Sequence, residues 1–210
     1  MVLSDYIDSA FFDPSIDSSD GGFGQGSAGR GRELGLPSEF LLAVGQERRD
    51  YKTLIGAART AGVPLVIVPS SEWVGEEAQG SERSDVIVVQ RRLPWVELRE
   101  LYRRSLAVAV AIEPNTDYAA GVNGMLEGMS MAKPVFVTGT SGLADYLDPE
   151  CLAGIAHPGD IGSLTCALER LGDTALMSSR SAAAREKVIR EYTLESYVGR
   201  ISNELEIATA

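Results

Sequence analysis

From Pro37 onward, short apolar runs alternate with segments whose apolar positions recur every three or four residues. The runs at 39–45 (EFLLAVG), 64–70 (PLVIVPS), 84–90 (SDVIVVQ), 106–112 (LAVAVAI) and 134–139 (PVFVTG) are short and apolar at both odd and even positions. That is the mark of strands buried on two faces. A weaker sixth run lies at 152–157 (LAGIAH). Helical spacing fills the gaps between the runs. It covers 51–62, with Gly62 placed as a C-cap, and 94–105, which opens on Pro94 and puts Val96, Leu98, Leu101 and Tyr102 along one side. It continues over 122–132 and a short 142–147, then 160–172 behind a cap at Asp160, 174–192 and 194–208.

Continuous apolar strands alternating with helices predict an α/β fold, a Rossmann-like doubly wound parallel sheet covered on both faces with right-handed crossovers. Such sheets bind ligands beyond the carboxyl ends of their strands. Chemistry is therefore expected at 45–50, 69–76, 90–95, 113–121 and 138–142. Before the first strand, residues 14–35 are rich in Gly, Ser and Asp and nearly empty of core residues, which predicts a flexible segment. Within it GFGQGSAG faintly resembles a nucleotide loop. No strand precedes it and no clear helix follows, so it reads as linker.

The length of 210 residues suits one such domain with a tail. A formal net charge of −11 disfavours nucleic acid and anionic membrane surfaces as partners, although a local basic pocket can still hold phosphate. The longest apolar run is too short to span a bilayer, and the N-terminus has no basic stretch leading an apolar one. Two cysteines, Cys151 and Cys166, lack metal-like spacing and read as reduced thiols, which points to a cytoplasmic protein.

Two post-strand segments carry candidate chemistry. In GQERRD (45–50), Arg48 and Arg49 are adjacent cations at a strand end, with Lys52 close by. Guanidinium groups there suit a diphosphate, while solvated surface charge explains the same spacing. In 113–127, Glu113 and Asp117 lie in a loop and Gly121 precedes a helix that begins Val122-Asn123. A helix start offers unpaired N–H groups to an anion. Glu127, nearly two turns in, is placed to accept hydrogen bonds from a ribose diol; an exposed helix residue is the plain alternative. The second glycine turn (138–146) offers Thr138, Thr140 and Ser141, which loop chemistry explains equally well. His157 has no catalytic partners in sequence, and no metal constellation stands out.

From about Tyr6 to Ile201 the chain resembles the C-terminal, donor-binding half of GT-B glycosyltransferases, closest to glycosyltransferase family 4. The resemblance rests on YIDSAFFDP (6–14), LLAVGQERRDYKTLIGAA (41–58), YAAGVNGMLEGMSMAKPVFVTGTSGLADYL (118–147) and GIAHPGDIGSLTCALERL (154–171). It implies residues 1–36 as an interdomain stretch plus flexible segment, and 37–210 as the nucleotide-sugar domain. It implies sugar transfer with retention, without a metal or other cofactor, the nucleotide-sugar being the donor substrate. Glu127 matches the second glutamate of the family's E-x7-E motif, which holds the donor ribose. Gly121 matches the glycine before the phosphate-binding helix start formed by Val122 and Asn123. Arg49 matches the lysine that pairs the diphosphate, with Arg48 as a replacement for its arginine partner. Arg49 and Glu127 are thus the implied catalytic residues.

The first motif glutamate falls on Ala119, a departure that bears on sugar selectivity; Asp117 and Glu113 are the nearby carboxylates. The chain begins inside the interdomain stretch, so an N-terminal acceptor domain or partner subunit is expected. Two other readings stand beside the transferase. One is a non-catalytic nucleotide or nucleotide-sugar binding module acting through a partner. The other, a flavodoxin-like regulator, is disfavoured because no acidic cluster follows the first strand.

Overall fold

The computed structural model describes residues 5–16, 35–69 and 85–209. Most of the Gly/Ser-rich segment, its GFGQGSAG loop and the stretch 70–76 after the second strand lie outside these residues.

Among the described residues, six strands form one all-parallel sheet: β1 (Leu41–Val44), β2 (Leu65–Val68), β3 (Val86–Val88), β4 (Ala107–Val110), β5 (Val135–Thr138) and β6 (Gly154–Ala156). Their order is β3-β2-β1-β4-β5-β6. This is the doubly wound arrangement, with the strand order reversing between β1 and β4, where a crevice opens. The helices are α1 (Tyr51–Ala61), α2 (Trp95–Arg104), α3 (Val122–Ser130), α4 (Ile161–Glu169), α5 (Thr174–Glu191) and α6 (Leu194–Thr209).

Neighbouring residues of each strand serve opposite cores. Leu42, Val66, Val108, Val110, Val135 and Val137 face the layer of α2, α3 and α5. Leu41, Ala43, Leu65, Ile67, Ala107, Ala109 and Phe136 face the layer of α1 and α4. Both sets are apolar because both faces are covered, which is why the runs lack the polar alternation of a one-sided sheet.

The helix boundaries follow local chemistry. Asp50 caps α1 by accepting from the Thr53 N–H at 3.0 Å, and Gly62 ends it in the left-handed region at φ 69°. Asp160 caps α4 through the Ser163 N–H at 3.0 Å. The predicted helix at 142–147 tightens into a 3-10 turn, Ser141–Tyr146, and so does the end of the predicted 160–172 helix, Arg170–Gly172. Both are short pieces, where i→i+3 bonding is common.

The N-terminal stretch packs onto this body. The Ile7 N–H donates to Tyr192 O at 2.8 Å. Phe12 is buried edge-on against Tyr102 and Trp95. The Arg185 guanidinium of α5 gathers the carbonyls of Ser9 and Phe12, the Ser130 carbonyl and hydroxyl, and the Asp13 carboxylate. One cation thereby fastens residues 9–13 to the C-terminal end of α3.

Candidate functional site

The crevice between β1 and β4 opens into a cleft of about 760 Å³. Its walls come from the loop after β1 (Gly45, Gln46, Glu47, Arg49), from the loop and helix after β4 (Ala119 to Gly124, Glu127), and from Trp95 and Leu98 of α2.

The loop after β1 sends its two arginines in opposite directions. Arg48 takes a left-handed turn at φ 54°, and its side chain pairs with Glu113 at 2.9 Å, both groups about 45% exposed. Arg49 then turns inward. Its backbone bridges Ile112 at the end of β4, held by Asp50 N–H to Ala111 O at 3.0 Å and Glu113 N–H to Arg48 O at 2.8 Å. Its guanidinium donates to Val44 O at 3.1 Å and Glu47 O at 2.9 Å. It lies over Gly45, whose φ of 107° favours glycine; a β-carbon there would sit 2.4 Å from Nη2 and displace the guanidinium. Tyr51 donates its hydroxyl to Gly45 O and locks the loop from below. Burial pulls the Arg49 guanidinium below its ordinary range, against the opposing charges of Tyr51, Tyr102, Glu47 and Glu127.

Opposite stands the start of α3. Gly121 caps it at φ 91°, and a β-carbon there would press to 2.7 Å from Val110 and 2.8 Å from Ile112. The helix thus starts directly on the strand end. Met125 is the first residue to bond back, to Gly121 O at 3.1 Å. The N–H groups of Val122, Asn123 and Gly124 therefore have no intrahelical acceptor, and all three residues line the cleft.

Glu127 is 5% exposed, in the cleft wall, and its Oε2 accepts from the Tyr102 hydroxyl at 2.5 Å. Burial pushes its carboxyl up to about 7, against the pull of the Tyr102 hydrogen bond and the Arg49 charge. The lone carboxylate of α3 is thus buried rather than solvated, with one phenol holding it.

Arg49, Gly121, Val122, Asn123 and Glu127 meet at this cleft, while Arg48 is drawn to Glu113 at its rim. Ala119 lines the cleft, whereas Asp117 is an exposed loop residue and Glu113 is engaged by Arg48. His157 is exposed, its N–H bonded to the Ser163 hydroxyl. Sequence reasoning missed Tyr102, Trp95, Gln46 and Asp5, which also borders the cleft. Tyr102 carries a signal in hindsight: a tyrosine on the buried side of a helix needs a partner for its hydroxyl.

A parallel sheet in this order, with a cleft at the switch point between a basic loop and a helix start, defines the class of Rossmann-like folds. Solved structures with this fold include halves of GT-B glycosyltransferases. HepE of Anabaena, in complex with UDP and glucose, superposes with a TM-score of 0.76 at 17% identity, over 98% of this chain and 56% of that one. A glycosyltransferase from Rickettsia africae ESF-5 gives 0.75 at 16% identity, over 99% of this chain and 56% of that one. The C-terminal domain of a group 1 glycosyl transferase, LpcC of Francisella tularensis, gives 0.68 at 15% identity, over 90% of this chain and 99% of that domain. The chain thus spans little more than half of the two longer proteins and nearly all of the isolated domain. No protein-family model and no curated protein matches the chain. At these identities the likeness is one of fold.

Proposed function

We propose that the chain is the donor-binding domain of a glycosyltransferase that moves a sugar from a nucleotide-sugar to an acceptor, with retention and without a metal, and works with an acceptor domain or partner subunit. The observation that carries this is the convergence of Arg49, the open start of α3 and Glu127 on one cleft at the strand-order switch. The diphosphate lies against the Arg49 guanidinium and the N–H groups of Val122 and Asn123. The ribose diol donates to Glu127. As the bond from the sugar's anomeric carbon to the diphosphate breaks, negative charge gathers on the leaving oxygen, where these fixed donors stabilise it. Support comes from HepE, of the same fold, whose structures hold UDP and UDP-glucose. Calorimetric titration with uridine, guanosine and adenosine diphosphate sugars tests the reading. Glu127→Ala is expected to cost roughly 1–3 kcal/mol in binding; unchanged affinity in a folded variant removes Glu127 from the site.

Ala119 favours a second reading. With a methyl group where the family pattern puts a sugar-facing glutamate, the domain binds nucleotide or nucleotide-sugar without transferring. Turnover with an acceptor domain supplied in trans separates the two.

A further inference from the structure

Resting on the donor-site reading, we propose that Tyr102 is a positioning residue of this cleft. Its hydroxyl fixes the Glu127 side chain and favours its ionised form, so that ligand affinity rises with pH as Glu127 loses its proton. Tyr102 is completely buried, and its ring is set by Phe12 edge-on at 5.9 Å. The hydroxyl therefore has one direction to point, into the cleft wall, where it meets Oε2 at 2.5 Å. Among the described residues no hydrogen bond reaches Oε1, and Glu127 borders the cleft, so that oxygen remains for a ligand hydroxyl. A diol can donate to a carboxylate at both oxygens, whereas a protonated carboxyl offers fewer acceptor positions.

The surroundings of Glu127 decide when it ionises. From the loop after β1 come Arg49 and the carboxylate of Glu47, with Tyr51 behind them. From α2 comes Tyr102. The N-terminal stretch brings Asp5 to the shared cleft wall, and Asp5 and Asp8 to the adjoining cavity that Glu127 also lines. On α3 itself the neighbour is uncharged Asn123, and from α5 Arg185 reaches only the far end at Ser130. The strands below present Val108 and Val135 at the adjacent Gly128. Arg49 and Tyr102 therefore work together against burial. Removing the phenol oxygen takes away the only direct hydrogen bond to the carboxylate among the described residues and leaves the cavity shape nearly unchanged.

The experiment compares wild type, Tyr102→Phe and Glu127→Gln. Carboxyl-carbon NMR of glutamate-labelled apo protein follows Glu127, assigned by its loss in Glu127→Gln. Titration calorimetry from pH 5.5 to 9 uses UDP-glucose, GDP-mannose and ADP-glucose, whose diphosphate diesters have no group titrating near neutrality. The wild-type Glu127 midpoint is expected near 7. In Tyr102→Phe it should move up by about one to two pH units, the scale of a charge-assisted hydrogen bond. Affinity should then be roughly ten- to hundred-fold weaker at pH 6 but within about two-fold of wild type at pH 9. Glu127→Gln should bind with no such pH dependence. An unmoved midpoint, or an equal loss at every pH, overturns the positioning role. So does a Glu127→Gln profile that keeps the wild-type slope. If no donor binds the wild type, the donor-site reading fails, and the proposal with it. That outcome is distinct from a binding protein whose Glu127 ignores Tyr102.

Discussion

Two glycine-entered turns at neighbouring strand ends look alike in sequence and are put to different uses. After β4, Gly121 starts α3 on the open cleft, and the three residues whose N–H groups lack an intrahelical acceptor line it. After β5, the turn from Thr138 to Tyr146 is spent on internal bracing. The Ile112 N–H donates to the Thr138 hydroxyl at 2.7 Å, tying β5 to the end of β4. The Gly142 N–H and the Ser141 hydroxyl both turn to Thr116 O. Position matters more than motif: the first turn borders the place where strand order reverses, and the second lies one strand further along, between β5 and β6. The second turn supports the loop of the first and adds nothing to the cleft wall.

The sharpest way to break this division is at Gly142. A β-carbon there would lie 2.0 Å from Tyr118 O and 2.4 Å from Tyr118 C. Backbone cannot yield as a flexible side chain can. Gly142→Ala should destabilise at the upper end of the roughly 1–3 kcal/mol typical of overpacking, measured by urea unfolding. Full stability would mean that the second turn is not a brace.

At the first turn the expected effect grows with pH. The folded state holds the Glu127 proton up to about 7, whereas the unfolded chain releases it near 4.5. Between those values the folded state binds more protons, so stability falls as pH rises through the window. Up to about 3 kcal/mol is lost above pH 7 relative to pH 4.5, at about 1.4 kcal/mol per pKa unit. Glu127→Gln should remove this slope and stabilise the apo protein at pH 8 while weakening nucleotide-sugar binding. Denaturant unfolding at pH 5 and pH 8 reads it; parallel slopes in wild type and variant contradict it.

A smaller contrast separates the two arginines. Arg49→Ala should lose affinity for a nucleoside diphosphate by roughly 1.5–3 kcal/mol and leave that for the nucleoside alone. Arg48→Ala removes an exposed pair and should change stability by less than about 1 kcal/mol. Equal losses for both ligands in Arg49→Ala would mean a disturbed fold. Of similarly small size is the effect at Thr140, whose buried hydroxyl has no hydrogen-bond partner among the described residues. Thr140→Val should be neutral or stabilising by about 1 kcal/mol in thermal unfolding, since no bond is lost and an unpaired polar atom is removed.

Much of the fold is legible in the chain because burial on two faces leaves uninterrupted apolar runs such as LVIV and VFVT. Caps are legible too, since Asp50 and Asp160 act within three residues of themselves. The cleft is legible only where one side chain and its own backbone determine the outcome, as at Gly121. Arg48 and Arg49 are indistinguishable as neighbours in sequence. They part because a left-handed turn at Arg48 and a bridge to Ile112 face them oppositely, and that bridge joins residues far apart in the chain. Tyr102 reads as one more apolar position on its helix side. Its hydroxyl acquires meaning only when packing brings Glu127 to it across 25 residues.

The most direct measurement is amide NMR mapping of the isolated chain titrated with uridine, guanosine and adenosine diphosphate sugars. Shifts concentrated at Gly45–Arg49 and Gly121–Glu127, with Thr138–Tyr146 following only weakly, are the predicted result. No perturbation at millimolar donor, or perturbation centred on the second turn, would contradict the assignment of this cleft to a nucleotide-sugar.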